Sequence, residues 1–511
     1  MHVAITVRNM YFIVKTYSSL ATSCIDIATF KLTTHRWDYN PRIKKMQKRI
    51  DKVYLAHINH DDTYHFNINM LKDFMLTLAY KGISREDINI TLDRDYPIMP
   101  LDAEFSPDIK LRDYQQQGND ILVKNDNKKY KLVDLATGKG KGILSIHAMV
   151  EMNRRTLILI LPRYVDKWVE EITEVTDTTL DEIAVLQGSS KVLKILDEVE
   201  EVGVEDLPYK FIILTTNTMY NFIKDYEQNY RNDYKYPITP MDLTRILGVG
   251  TIVNDETHQQ FHSIFRSMLF LDGKQFIGLT ATLVTKDKSL KRMYDLMFPG
   301  DARISNLVEI DKYINVYAVR YSISNTKIIQ YKRPQGYNHN LFESSMLRRS
   351  RLLHSYIEMV LHYLKEGYIK RRVEKDKCLI FVASVNMATL LTNKIRNLYP
   401  NLVVNRYVED DPYENIMEAD ITVSTHFSSG TAYDLPNLIT VLQTVSLKSI
   451  QANKQNIGRL RNLKGKEMRY YYFYCKDIPN HLDVNRERID IFNSIAKSYN
   501  HLEYQKQLLS K

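Results

Sequence analysis

Short, uninterrupted apolar runs rich in Ile, Leu and Val recur along the chain from about residue 111, each followed by a stretch with helical periodicity. They fall at residues 156–161, 211–214, 251–253 and 275–279. A strand that is apolar at every position is buried on both faces, and its alternation with helices is the mark of a parallel α/β sheet. The pattern breaks near Phe298-Pro299-Gly300 and resumes at residues 378–382, 421–424, 439–443 and the aromatic run 470–474. Residues 305–376 read as a mixed connector with a helix over about 341–370. The first 105 residues alternate short apolar stretches with basic and polar ones and end in Tyr96-Pro97-Ile98-Met99-Pro100, which reads as a linker. The expected architecture is α/β. A small α+β domain (1–105) precedes two tandem parallel-sheet domains (106–304 and 305–480), and a helical tail follows (481–511).

Composition narrows this picture only modestly. The 511 residues are 44% hydrophobic and 26% charged, a balance that suits a folded protein with ample core. A net charge of +9 suits an anionic partner. The three cysteines, Cys24, Cys378 and Cys475, are scattered without metal-ligand spacing, which favours a reducing compartment over a disulfide framework. The N-terminal stretch is interrupted by Arg8 and Lys15 and reads as strand rather than signal peptide. No apolar run approaches the length of a membrane span. The expectation is a soluble, cytoplasmic protein without a membrane partner.

The strongest chemical signal is L-A-T-G-K-G-K-G at positions 135 to 142, between a strand-like and a helix-like segment. Glycines there let the backbone turn tightly and aim its N–H groups at phosphate oxygens, while a lysine meets the outer phosphates. Thr137, Gly138, Lys139, Gly140 and Lys141 are the candidate cradle. Lys139 offers a competing register, but only Lys141 follows a glycine where the helix begins. Such loops normally continue with a Ser or Thr whose hydroxyl holds Mg²⁺, and Gly142 stands in that place.

Further down the same block, Asp255-Glu256-Thr257-His258 ends an apolar strand in two adjacent acids. Asp255 at a strand end suits Mg²⁺, held through water, and Glu256 suits the polarisation of an attacking water. Thr280-Ala281-Thr282 closes the next strand, and its hydroxyls suit a sensor of the metal site, with His258 as a coupling residue. In the second block, Gln455, Arg459 and Arg461 offer side chains for charge developing on a γ-phosphate.

In this order the residues closely resemble the motif series of the superfamily 2 helicases. The resemblance implies RecA-like folds for both sheet domains, with ATP and Mg²⁺ as cofactors. Arg112 and Gln115 fall in the adenine-side segment, with Gln115 reading the base. Pro162, Arg163 and Trp168 fall in a segment that grips a nucleic-acid strand, as do Thr215 and Thr216. Asp255-Glu256-Thr257-His258 is a DExH version of the acidic motif. Residues 379–382, Ser424 and Thr425 through Gly430, and Asp434 resemble motifs of the second domain, with Asp434 on the nucleotide side. Ser424 and Thr425 would contact nucleic acid, and residues 455–461 complete the series.

Within that superfamily the likeness is nearest to the UvsW-type phage helicases, whose N-terminal domain carries a Tyr/Phe-Asn-Pro-Arg segment. Here Trp37-Asp38-Tyr39-Asn40-Pro41-Arg42 is followed by Lys44, Lys45, Lys48, Arg49 and Lys52. Basic residues beside aromatics suit phosphates and bases at a branch. The implied function is an ATP-driven helicase or translocase that unwinds or branch-migrates branched or duplex DNA in recombination, repair and replication. It would act as a monomer in the host-cell cytoplasm, and single-strand-binding protein and recombinase are its candidate protein partners. A nucleotide-gated DNA-binding protein with little hydrolysis, and an RNA helicase or transcript-release motor, are the competing readings.

Two departures from the motif series bear on rate. At Gly142 a water can take the missing hydroxyl's place beside Asp255, with Ser145 a poorer substitute, so slower or more Mg²⁺-demanding hydrolysis is expected. In the last motif the second arginine normally comes three residues after the first, but position 462 is Asn. On an ideal helix Arg461 is then turned by about 100° from the usual place, which makes Arg459 the expected arginine finger.

Overall fold

A computed structural model describes the chain apart from residues 1, 31–33, 41–44, 52–54, 125, 136–137, 231, 282–286, 306, 308–311, 335, 409–410, 413, 426–434 and 510–511. The chain divides into two compact units, Met1–Val308 and Glu309–Lys511. The apolar runs form the centre of a seven-stranded sheet in each unit, parallel at every pairing.

In the first unit the strand order is Ile183–Leu186, Phe211–Thr215, Thr156–Ile160, Thr251–Asn254, Gln275–Thr280, Tyr130–Asp134 and Arg303–Ile304. This order sets the carboxyl ends of Tyr130–Asp134, Gln275–Thr280 and Thr251–Asn254 side by side, so the glycine-rich loop, Thr280 and the acidic pair emerge along one edge. Ligands of open α/β sheets bind at that edge.

The N-terminal residues build a five-stranded sheet, in the order Leu55–Ile58, Thr63–Asn67, Tyr11–Thr16, Val3–Val7 and Ile88–Leu92, with helices Ser19–Phe30 and Leu71–Tyr80. A separate hairpin pairs Thr34–Asn40 with Lys45–Asp51 and sets Trp37 opposite Lys48 and Arg36 opposite Arg49 in the backbone register. The five-stranded sheet is built into the first parallel sheet. Met10, Tyr11, Ala56 and Ile58 share a core with Tyr130, Leu157 and Phe276, and the Tyr130 hydroxyl donates to the Met10 carbonyl at 2.8 Å.

The same junction holds a fully buried carboxylate, Asp272, which accepts from the Asn9 and Met10 amides at 3.1 and 3.2 Å. Arg245 joins it at 3.4 Å and reaches Asp93 at 2.7 Å, and Arg8 pairs with Asp93 at 3.0 Å. The Pro-rich segment read as a linker is pinned rather than free. Met99 donates to the Gly248 carbonyl and accepts from the Arg155 amide, at 2.9 and 2.7 Å, and the Tyr96 hydroxyl donates to Val249 at 2.7 Å.

In the second unit the order is Val404–Tyr407, Ile421–Thr425, Lys377–Val382, Leu438–Gln443, Met468–Cys475, Ile314–Tyr321 and Ser498–Glu503. The tail is therefore not helical throughout, as its sequence suggested. Helix Pro479–Ile495 ends and Ser498–Glu503 forms the edge strand, because a free edge at Ile314–Tyr321 offers a ladder of unpaired backbone groups. The helix expected over 341–370 is broken into His339–Leu347 and Ser350–Leu364, with a wider turn at Lys365–Ile369. Among the described residues no helix is long and apolar enough to cross a membrane.

His65 lies within the junction of the first unit, where its Nδ1–H donates to the Leu269 carbonyl at 3.0 Å. Burial pulls its pKa from the ordinary 6.5 down to about 4, with Arg8 acting in the same direction and Asp61 against it. The unfolded chain takes up this proton below pH 6.5 while the folded one refuses it until about 4. The contribution is thus whole above pH 6.5 and is lost as pH falls, by at most roughly 3 kcal/mol. Denaturant unfolding of the wild type and His65→Gln should show a stability gap that narrows from pH 7 to pH 4; a constant gap would contradict this origin.

Candidate phosphate-loop site

The loop after Tyr130–Asp134 turns through Gly138 and Gly140, whose φ values of +76° and +71° lie in the left-handed region. Helix Lys141–Met152 starts immediately after, so its unpaired N–H groups open toward the loop. The loop is braced from the adenine-side segment. Gln115 accepts from the Arg112 amide at 2.9 Å and donates to the Gly140 carbonyl at 3.1 Å, while the Tyr114 hydroxyl donates to Lys139 at 3.0 Å. Gln115 is buried and links the two segments, and Arg112 donates to Tyr114.

Lys141 meets Glu256 at 3.2 Å, with side chains only 10% and 12% exposed. Of the two lysines, Lys141 is thus the one directed at the acids. Asp255 is buried and accepts from Trp168 Nε1 at 3.2 Å and, on its other oxygen, from the Glu256 amide at 2.8 Å. Lys167 stands 3.8 Å from Asp255. Burial alone would lower the Lys167 pKa, but Asp255 and Glu171 outweigh it and hold it above its ordinary value. His258 is buried, its Nδ1 is 2.9 Å from the Thr280 hydroxyl, and burial pushes its pKa down. Its Nδ1 also lies 3.4 Å from Glu256. The Thr280 carbonyl accepts from the Leu135 amide at 3.0 Å, at the start of the loop. Thr137, Thr282 and Asp434 lie outside the described residues.

Several residues expected at a nucleic-acid surface are placed elsewhere. Trp168 is fully buried, because helix Val165–Val175 turns Val165, Trp168, Ile172 and Val175 inward, and its indole serves Asp255 instead of a strand. Thr215 and Thr216 are buried as well. Thr215 caps the following helix through the Thr218 amide, and Thr216 donates to Gln260 at 3.0 Å. Ser424 is buried and donates to the Tyr407 carbonyl at 2.6 Å, beside a buried Thr425. Arg163 is exposed, rests over the Tyr164 ring at 5.1 Å and donates to Gln259, with Pro162 partly covered beside it. Arg42 and Lys44 lie outside the described residues, and Lys45, Lys48 and Arg49 fall on the strand Lys45–Asp51.

In the second unit helix Ile450–Ile457 contains Gln455 and stops at Gly458, so Arg459 and Arg461 follow in a turn. The helical rotation expected to separate them does not apply. Burial of Leu460 pulls the chain inward, and Arg461 folds back to donate to the Gly458 carbonyl at 2.8 Å. Arg459 is buried, 5.9 Å from the Phe381 ring centre.

Two participants were invisible in the sequence: Lys167 and Glu171. A Cβ placed on Gly142 would lie 2.1 Å from Glu171 Oε1, so a carboxylate fills the volume that a Ser or Thr side chain would take. Burial raises the Glu171 pKa, Lys167 opposes this, and Asp255 adds to it. Only the one-turn spacing of Lys167 and Glu171 hinted at a shared face, and nothing tied that face to Gly142. The residues present fit a triphosphate with Mg²⁺: a loop whose glycine conformations other residues cannot adopt cheaply, a lysine at the helix start, and buried carboxylate oxygens of which Glu171 Oε2 and Glu256 Oε2 have no hydrogen-bond partner. Lys141 would hold the outer phosphates and Asp255 the metal side. Ser145 is withdrawn, buried and donating to the Gly142 carbonyl at 2.8 Å.

Residues 108–285 match the family model described as the res subunit of type III restriction enzymes. The chain is similar to the DNA 3'-5' helicase XPB of Mycobacterium tuberculosis, 26% identical over 191 residues, which are 37% of this chain and 30% of that protein. The matched region thus spans under a third of its curated relative. Among solved structures, Mss116p bound to ssRNA and AMP-PNP is similar in fold over 78% of this chain and 75% of its own, at 16% identity and a TM-score of 0.50. The crystal structure of T4 UvsW aligns over 99% of both chains, at 13% identity and a TM-score of 0.35. Residues 108–285, which carry the phosphate loop and the acidic strand end, are thus the part of the chain that is similar to these proteins in sequence.

Gly140→Ala tests the loop geometry. Its Cβ would sit 2.5 Å from Gln115 Nε2 at a φ of +71°. Affinity for a fluorescent ATP analogue should fall by about tenfold or more, since the strain is of order 1–3 kcal/mol. The melting temperature should move only a few degrees. Unchanged affinity would mean that the loop does not bind the nucleotide in this conformation.

Proposed function

We propose that this protein is an ATP-driven DNA helicase or translocase that acts on branched or duplex DNA. The observation that carries the reading is the Lys141–Glu256 pair, seated between the loop helix and the acidic strand end with Asp255 beside it. It supplies a cation for the outer phosphates and a carboxylate for the attacking water within one edge of one sheet. ATP with Mg²⁺ supplies the phosphoryl chemistry when bound. Lys141 then takes phosphate oxygens in place of Glu256, and Glu256 becomes free to accept a proton from water. Arg459 is the candidate for charge developing on the γ-phosphate.

A DNA track is supported by the DNA helicase likeness of the matched region and by the net charge of +9. The UvsW-type motif series supports branched substrates and a role in recombination, repair and replication in the host-cell cytoplasm.

Phosphate release measured with linear, forked and four-way DNA, and with RNA, tests both parts. ATP turnover should rise on DNA, most on branched forms, and fall by about 10²-fold or more in Lys141→Ala, with a smaller loss in Arg459→Ala. Stimulation by RNA above DNA would move the track to RNA. Turnover no higher than that of Lys141→Ala on every substrate would favour a nucleotide-gated binding protein.

A further inference from the structure

Position 142 is where this loop lacks the hydroxyl that its kind presents to Mg²⁺, and Glu171 supplies oxygen to the same volume. Both carboxylate oxygens and Cδ would lie 2.1–2.4 Å from a Cβ on residue 142. Those approaches are far inside any real carbon contact, so Glu171 keeps this placement only while residue 142 is glycine, and a side chain there would have to push the flexible carboxylate aside. Its helix, Val165–Val175, already serves the metal side of the site. Trp168 and Lys167 from that helix both reach Asp255, at 3.2 and 3.8 Å, and Glu171 lies one turn beyond Lys167 on the same face.

Glu171 Oε2 is screened from solvent and has no hydrogen-bond partner. A buried carboxylate oxygen left in that state is costly unless a cation or donor meets it. Three carboxylates, those of Asp255, Glu256 and Glu171, share this edge with the ammonium groups of Lys141 and Lys167. A hard divalent cation with oxygen ligands answers both the orphan oxygen and the surplus carboxylate.

We propose that Glu171 replaces the loop hydroxyl as an oxygen ligand of the nucleotide-bound Mg²⁺, directly or through one of the ion's waters, and that Gly142 and Glu171 form one functional pair. This rests on the ATP-binding reading above. It changes the expectation from a site short of one ligand to a site whose ligand arrives from a different helix.

The test is the affinity of the full chain for AMP-PNP in Mg²⁺ and in EDTA, with Mn²⁺ electron paramagnetic resonance as a direct report on the metal. In Glu171→Gln, nearly the same shape, the gain in affinity from Mg²⁺ should shrink by about tenfold or more, and bound Mn²⁺ should weaken likewise. Affinity in EDTA should not fall, since the change only removes a negative charge beside the phosphates. Gly142→Ser alone should displace the Glu171 carboxylate, so that adding Glu171→Gln to it no longer lowers the Mg²⁺-dependent gain. Gly142→Ser combined with Glu171→Ala should regain the Mg²⁺-dependent gain, since the hydroxyl then has both space and metal.

An unchanged Mg²⁺ gain in Glu171→Gln, a stronger one (the carboxylate then obstructs the metal), or a double variant no better than Glu171→Ala would overturn the proposal. Lys141→Ala separates the two levels of the argument. If it leaves affinity in EDTA intact, the nucleotide-binding reading of the loop itself fails. If it abolishes that affinity while Glu171→Gln changes nothing, only the role of Glu171 is lost.

Discussion

A lysine at the head of a helix, at the closed edge of a parallel sheet, cannot stand without negative charge beside it. Burial of an ammonium group is tolerated only against a partner. In this structure the partner of Lys141 is Glu256, and the surrounding geometry follows from keeping that pair in place. Glu256 adopts a φ of +52°, unusual for a residue with a side chain, and its amide is held by the carboxylate of its own neighbour Asp255. Asp255 is in turn fixed by an indole N–H and faced by a lysine. In this arrangement phosphate oxygens would take over the role that Glu256 now fills toward Lys141. That exchange would release the Glu256 carboxylate, as the proposed hydrolysis needs.

The strand that launches the loop is anchored at its other end. Tyr130, on the strand that launches the loop, is anchored through its hydroxyl to Met10 of the N-terminal sheet. Asp272, fully buried, gathers the Asn9 and Met10 amides with Arg245. Removing one member of such a group leaves an uncompensated buried charge, at a cost of about 3–5 kcal/mol. The N-terminal sheet is therefore part of the structural support of the phosphate loop.

What could be read in the sequence was whatever depends on local chemistry. The doubly buried strands, the glycine conformations at 138 and 140 and the acids at a strand end all follow from neighbouring residues, and the structure shows each of those features. What could not be read depends on facing directions across the fold. Trp168 reads as part of a strand-gripping segment, and only the inward side of its helix decides that it serves Asp255. The turn at Gly458 removes Arg459 and Arg461 from a helix that composition alone would continue. The strand Ser498–Glu503 is polar enough to pass for tail, and its pairing comes from an edge contributed by residues far earlier in the chain. Glu171 is the clearest case, because its meaning rests on the absence of a side chain at Gly142.

The segment from Asp255 to Gln260 shows how the nucleotide edge and the expected strand-binding motifs are joined. Its first residues face Lys141 and Trp168. Its middle contacts the neighbouring strand, with the Thr257 amide donating to Leu279 at 2.9 Å and His258 meeting Thr280. Its last two residues hold the other motifs: Gln259 accepts from Arg163 and donates to Tyr164 at 3.0 Å, and Gln260 accepts from Thr216 at 3.0 Å. The hydroxyls of Thr215 and Thr216 are thus engaged within the protein, while Arg163 stays exposed. Six consecutive residues therefore touch Lys141 at one end and Arg163 and Thr216 at the other, so that a shift at Glu256 is one short backbone away from Arg163.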